Sequence, residues 1–187
     1  IGRNFLFDYA HVIGIEDARN FHARMHLSDP VKRMSAGPVH FAFSGWAFVD
    51  ILPESSPTPD NDFYLHYRHP YSFEADSWVR DGKRADEPVC IMNAGYSSGW
   101  CEESFGMALT AVEIKCIAKG DECCQFDVRI APISNVSYNF LHLLLGKFLS
   151  IDFALTKPKE AIGFKCETQR VSPSAAPNFL IASIDSP

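Results

Sequence analysis

The segment AVEIKCIAKGDECC, residues 111–124, combines a turn with one glutamate and three cysteines. Strand-forming residues flank its Lys-Gly-Asp turn, a pattern that predicts an antiparallel β-hairpin. If the hairpin turns about Gly120, Cys116 and Cys124 are equidistant from the turn and face each other across the two strands. Their side chains are then about 5 Å apart on one face of the sheet.

The other two potential ligands in this hairpin are placed less favourably. Cys123 points to the opposite face, because successive side chains alternate along a strand. Glu113 also falls on the opposite face of a regular strand, since it lies three residues before Cys116. A β-bulge or a strong twist is needed to bring Glu113 to the side of the two facing cysteines.

A zinc ion bound by protein side chains normally has four ligands in a tetrahedron, and the hairpin supplies at most three. Cys90 and Cys101 are the candidates for the missing ligand. The residues alone leave three interpretations open: a metal site, buried or free thiols, and a disulfide between Cys116 and Cys124. The disulfide is the least favoured, because a chain of 187 residues does not need disulfides to fold and six cysteines fit a reducing cytoplasm.

The segments before the hairpin contain both helical and strand patterns. Residues 4–25 have apolar side chains at helical spacing with an interruption near Gly14, which predicts two short helices. Residues 39–51, VHFAFSGWAFVDI, alternate as a strand does, and Gly45 predicts a bulge or kink within it. Residues 63–69, FYLHYRH, predict a second strand, which pairs with the first across a Pro- and Ser-rich loop.

Three further helices are expected. Ser72 is a suitable N-cap for a helix over residues 72–82, and a second helix runs from Pro88 to about Phe105. The strongly apolar residues 134–151 predict the third. The fold class is therefore α+β, an antiparallel sheet of hairpins packed by helices.

The composition indicates one globular domain with a tail. A chain that is 47% hydrophobic and 21% charged can bury a substantial core. We expect a ligand-binding domain over residues 1–132, an apolar helix and connection over 133–170, and a Ser/Pro-rich tail or linker over 171–187. Because the chain begins at Ile1 without a signal-peptide pattern, we expect it to be part of a longer protein.

The charge and the apolar runs exclude two classes of partner. A net charge of −6 with no basic cluster disfavours direct binding of nucleic acid. The longest apolar run is interrupted by charged residues and is too short to span a membrane. We therefore expect a soluble, cytoplasmic domain.

Four motifs resemble the 4-vinyl reductase domain family. They are AGPVHFAFSG, YSFEAD, EPVCIMNAGYSSGW, and VEIKC followed by a cysteine eight residues later. The similar branch of the family is the N-terminal sensor domain of bacterial transcription activators that respond to phenol, xylene and related aromatics. The resemblance covers roughly residues 4–130.

This resemblance implies a structural zinc site. The family's ligands correspond here to Cys90, Glu113, Cys116 and Cys124, a set that agrees with the hairpin geometry in omitting Cys123. Three thiolates and one carboxylate leave no open coordination position, so the zinc is expected to stabilise the fold rather than to perform catalysis.

The resemblance also implies a ligand pocket, but the chain departs from the family there. The aromatic sensors usually have a histidine four residues after the glycine of the GP motif, where this chain has Phe41 and carries His40 one residue earlier. They tend to have a tryptophan at the position of His69. We therefore expect a ligand other than phenol itself, in a pocket whose walls are Phe41, Phe43, Trp46, Tyr67, His69, Tyr96, Trp100 and Ala111. The alternative is that these aromatic side chains simply fill the core.

Three functions are compatible with the sequence. The first is a sensor of an aromatic or other hydrophobic ligand that controls an attached output module, as a homodimer. The second is a protein-interaction scaffold, since the family is similar to subunits of vesicle-tethering complexes. The third is an enzyme that reduces a vinyl group on a tetrapyrrole. The chain has no dinucleotide-binding or nucleophile motif, which favours a non-enzymatic function.

Overall fold

In the computed structural model of the chain, residues 2–131 are described. They form five α-helices, one short 3₁₀ turn and four β-strands. In chain order these are α1 (Gly2–Arg24), α2 (Pro30–Ser35), α3 (Gly37–Phe43), β1 (Ala47–Ile51), β2 (Leu65–Ser72), α4 (Phe73–Arg80), α5 (Ile91–Phe105), β3 (Leu109–Lys115), the 3₁₀ turn Ile117–Lys119 and β4 (Cys124–Ile130).

The strands form an antiparallel sheet in the order β1-β2-β4-β3. Buried and more exposed residues alternate along β2, β3 and β4, so one face of the sheet is buried. Helix α5 packs on this sheet, and α1 packs on α5. The predicted α+β class, with an antiparallel sheet packed by helices, is confirmed.

Helix α1 is continuous, so the expected break near Gly14 is wrong. Gly14 lies instead where the helix touches α5: a Cβ atom at this position would collide with the carbonyl oxygen of Tyr96. Gly95 and Gly99 of α5 approach the backbone of α1 in the same way, at Phe7 and His11. The glycine in the helical pattern therefore marks a close contact between two helix backbones.

The strand expected over residues 39–51 begins later than predicted. Residues 37–43 form α3, and β1 starts only at Ala47. Pro38 occupies the first turn of α3, where its missing N–H costs nothing. Gly45 is the turn between helix and strand, with a positive φ of 81°, rather than a bulge within a strand.

Helices α4 and α5 agree better with the sequence patterns. Ser72 caps α4 by accepting a hydrogen bond from the backbone N–H of Ala75 at 3.4 Å. Helix α5 ends at Phe105 as expected, but it starts at Ile91, so Pro88 is not its first residue. The reason is that Cys90 has a non-helical backbone conformation and forms the N-cap of α5.

The predicted helix at 134–151 and the expected segments 133–170 and 171–187 lie outside the described residues. Within residues 2–131, none of the helices is both long enough and apolar enough to cross a membrane.

Candidate metal centre and ligand cavity

The hairpin of β3 and β4 contains the bulge that Glu113 requires. Glu113 pairs with Phe126 and Lys115 pairs with Gln125, so Ile114 is an extra residue in β3. This insertion shifts the alternation by one position and brings Glu113 to the same side as Cys116. Beyond Cys116 the 3₁₀ turn leads to Gly120, whose φ of 103° favours glycine.

The fourth member of the site comes from the start of α5. Cys90 precedes the first helical residue and faces the hairpin, with its Sγ atom 3.6 Å from that of Cys124. One ligand atom from each of Cys90, Glu113, Cys116 and Cys124 lies within 4.8 Å of the others, and all four residues are buried. This group joins the sheet to the helix that packs on it.

Glu113 is bonded through only one of its two carboxylate oxygens. Its Oε2 accepts a hydrogen bond from the backbone N–H of Cys90 at 2.8 Å. Its Oε1 is buried and has no hydrogen-bond partner among residues 2–131. Burial raises the pKa of Glu113 to about 7. A buried oxygen without a partner is costly unless a proton or a cation satisfies it.

The sulfur atoms have partners suited to negative charge. The Ser72 hydroxyl is 3.1 Å from Cys90 Sγ and already accepts hydrogen bonds from Asn93 Nδ2 and from the backbone N–H of Ala75. Its own proton is therefore directed to the Cys90 sulfur, which acts as an acceptor. The backbone N–H of Ile117 donates to Cys124 Sγ at 3.5 Å.

The thiols also share protons among themselves. Hydrogen bonds from Cys124 and Cys90 lower the pKa of the Cys116 thiol well below its usual range. Thiolates and carboxylates are natural zinc ligands, and bound thiols must lose their protons. The buried donor set and the unpartnered oxygen of Glu113 thus fit a metal ion, and the cluster can bind one.

The two remaining cysteines of the described residues are not part of this group. Cys123 is half-buried on the other side of β4's start, as the alternation predicts, and Cys101 is buried in α5. Cys116 and Cys124 are both free thiols, so the alternative of a disulfide between them is not formed.

A cavity of about 40 Å³ lies beside α5, between α2, α3 and the sheet. The side chains that the described residues place around it are mostly apolar, with no charged group and no histidine among them. The lining residues are Met34, Gly37, Pro38, Phe41, Val49, Ile51, Leu65, Tyr67, Tyr96, Ser97, Trp100 and Cys101. A cavity that binds benzene in a protein core measures roughly 150 Å³, so a ring requires some of these side chains to move.

Four of the eight expected pocket residues line this cavity: Phe41, Tyr67, Tyr96 and Trp100. Phe43 does not, because it lies on the outer side of α3 and is 90% exposed. In a strand Phe41 and Phe43 would share a face, but in a helix a spacing of two places them on different sides.

Trp46, His69 and Ala111 also lie away from the cavity lining. Trp46 packs against Tyr96 with the ring centroids 4.9 Å apart. Ala111 is a core residue of β3 whose backbone N–H donates to Ser98 Oγ. His69 is completely buried beside Phe41 and Phe126, and within the described part of the chain neither of its ring nitrogens has a hydrogen-bond partner.

Burial lowers the pKa of His69 to about 3, so this imidazole stays neutral. The expected substitution of one polar wall by another is therefore not a simple exchange between Phe41 and His69.

Several lining residues were not anticipated from the sequence. Ser97 and Cys101 follow from helical spacing around Trp100, and Leu65 follows from the period of two that ends in Tyr67. Met34 and Pro38 had no comparable signal, because α2 and α3 are short helices whose placement is set by tertiary packing.

The fold and the cluster together define a class of protein: an α+β ligand-binding domain with a buried cysteine-rich metal centre. Residues 70–130 match the family model of the 4-vinyl reductase domain. The chain therefore carries a 4-vinyl reductase domain, and the resemblance drawn from its motifs is confirmed. The matched residues include all four members of the metal cluster.

Two relatives are informative about the fold. The phenol regulator MopR of Acinetobacter guillouiae is 26% identical over 124 residues, which are 66% of this chain and 22% of MopR. The chain thus spans 22% of the length of this relative. The phenol-responsive sensory domain of the transcription activator PoxR, in a crystal structure with phenol, superposes with a TM-score of 0.62 at 20% identity. That match covers 76% of this chain and 70% of the PoxR domain.

A vinyl-4-reductase family protein from Methanocaldococcus jannaschii superposes with a TM-score of 0.47 at 16% identity, covering 68% of each chain.

Proposed function

We propose that this domain senses a small hydrophobic or aromatic ligand and thereby controls an output module attached to it. The observation that carries the proposal is the apolar cavity, bordered by α5 and by the sheet that holds the metal cluster. The similarity of the sequence to MopR supports the same function, and the fold is one that the sensory domain of PoxR also has. We further propose that the domain is cytoplasmic and acts as a homodimer.

We propose zinc as the metal of the cluster, held by Cys90, Glu113, Cys116 and Cys124. When bound, zinc supplies electrostatic stabilisation to three thiolates and a carboxylate, and its coordination is closed to substrate. The role of the chain's own residues is to bring α5 and the β3–β4 hairpin together. The site is therefore structural, and the domain is a binding domain rather than an enzyme.

The cavity and the cluster share elements, which gives the metal a role in binding. Helix α5 begins next to the ligand Cys90 and continues to Tyr96, Ser97 and Trp100, which line the cavity. Fixing the first turn of α5 therefore also fixes one wall of the cavity.

A thermal-shift screen of the 187-residue chain tests this function. We expect at least one small neutral aromatic compound to raise Tm, whereas tetrapyrroles and fatty acids do not. At a hundredfold excess over Kd, a bound ligand adds about 2.7 kcal/mol, which corresponds to roughly 5 to 10 °C for a chain of this size. A rise with fatty acids alone, or with no compound, would contradict the proposal.

A further inference from the structure

The polar groups that line the cavity differ in whether they already have partners. Trp100 Nε1 donates to the carbonyl oxygen of Arg33 at 3.1 Å. The Tyr96 hydroxyl donates to Asp17 at 3.0 Å and also contacts His40 Nδ1. Neither group is free to bind a ligand without giving up an existing hydrogen bond.

Tyr67 is different. It lies on the buried face of β2, stacks on Phe126 with ring centroids 5.1 Å apart, and is only 3% exposed. Its hydroxyl is buried and finds no hydrogen-bond partner in residues 2–131, although it borders the cavity. A buried hydroxyl without a partner is unusual in a folded protein and calls for an explanation such as a bound molecule.

The environment of Tyr67 fixes what this hydroxyl can do. Burial raises its pKa well above the usual range, against a smaller opposing effect of Ser97. The phenol group therefore stays protonated and can donate one hydrogen bond. Ser97 and Cys101 lie one helical turn apart on the facing helix and are the other polar side chains near this part of the cavity.

The lining also restricts the charge of the ligand. None of the described lining residues is charged, so a carboxylate or ammonium group would be buried without a counter-ion. A ring-sized ligand must enlarge the space, and the flexible side chain of Met34 in the wall can repack to allow this.

We propose that the Tyr67 hydroxyl is the polar anchor of the ligand, and that the cavity selects a small neutral aromatic compound with one hydrogen-bond acceptor oxygen. The proposal rests on the sensing function proposed above and specifies its ligand. It assigns the polar contact to β2 through Tyr67, whereas His69 on the same strand does not line the cavity.

Titration calorimetry with anisole and ethylbenzene tests the anchor. The two molecules are similar in shape, but only anisole has an acceptor oxygen. We expect the wild-type chain to bind anisole about five- to tenfold more tightly, as one buried hydrogen bond provides. In Tyr67→Phe this preference falls to about one, while ethylbenzene binding is retained and the free energy of unfolding does not decrease.

Ser97→Ala is the matched control, because it removes a hydroxyl from the same cavity and should keep the preference for anisole. A preference that persists in Tyr67→Phe, or that disappears only in Ser97→Ala, would overturn the assignment of Tyr67 while leaving ligand sensing intact. If neither compound binds the wild-type chain, both the anchor and sensing of small aromatics by this cavity are contradicted.

Discussion

At the scale of single residues, the metal cluster depends on one inserted amino acid. The hairpin symmetry about Gly120 is sufficient to place Cys116 opposite Cys124 and to exclude Cys123. It cannot place Glu113, because a regular strand turns that side chain away. The bulge at Ile114 resolves this conflict, and nothing in the composition of the strand announces it.

The partner of Cys90 gives a prediction at the same scale. Ser72→Ala removes the hydroxyl that donates to the Cys90 sulfur, and we expect zinc affinity to fall about 10- to 100-fold. Competition with a chromophoric chelator measures this affinity independently of the helix cap that is also lost. Ser77→Ala is the control, since the Ser77 hydroxyl bonds the Phe73 carbonyl within α4. Equal zinc affinities for the two variants would contradict the role of Ser72.

At the scale of elements, the contact between α1 and α5 positions one wall of the cavity. Gly14, Gly95 and Gly99 allow the two backbones to approach, and ion pairs such as Arg19–Glu103 at 3.0 Å border the contact. The cysteine-bearing start of α5 and the glycine-bearing face of the same helix thus serve two separate packing surfaces.

Adding a methyl group at this contact tests its importance. In Gly99→Ala the new Cβ would collide with the backbone of α1, and we expect unfolding to become easier by about 1 to 3 kcal/mol. Gly2→Ala introduces the same methyl group in α1 with no described atom nearby, so it should leave stability unchanged or slightly higher. Urea denaturation compares the two. A Gly99→Ala chain as stable as Gly2→Ala would show that the helices are not closely packed there.

The sequence predicts elements well where local signals agree with packing. The Ser72 cap, the end of α5 and the hairpin follow from residue type and spacing. The signals fail at α3, where Val39, Phe41 and Phe43 alternate as in a strand, yet only Phe41 is buried. They also fail at Gly14, because a close contact with another helix cannot be read from one segment alone. The four metal ligands were expected as a set only through the resemblance to the 4-vinyl reductase domain family.

At the scale of the whole molecule, the question is whether the cavity opens for a ligand. Its present volume of about 40 Å³ is smaller than an aromatic ring needs, so binding must displace side chains. Phe41 is the aromatic side chain that α3 inserts into this space, beside Tyr96 with ring centroids 4.8 Å apart.

Removing this ring separates stability from binding. Phe41→Ala should destabilise the free chain by about 3 to 5 kcal/mol, because it leaves a cavity in the core. The same change should strengthen ethylbenzene binding, since the ligand then fills space that no side chain has to leave. Urea denaturation and calorimetry measure the two effects. Loss of stability with weaker ethylbenzene binding would show that Phe41 contributes to the ligand site rather than occupying it.

The metal content of the folded chain tests the central claim most directly. Elemental analysis of the purified chain should find one zinc per chain in the wild type and in Cys123→Ser, and none in Cys116→Ser. Cys116→Ser should also lose the stabilisation that zinc provides, about 4 kcal/mol at a thousandfold excess over Kd. A folded wild-type chain without metal, or a zinc that survives in Cys116→Ser and is lost in Cys123→Ser, would contradict the account.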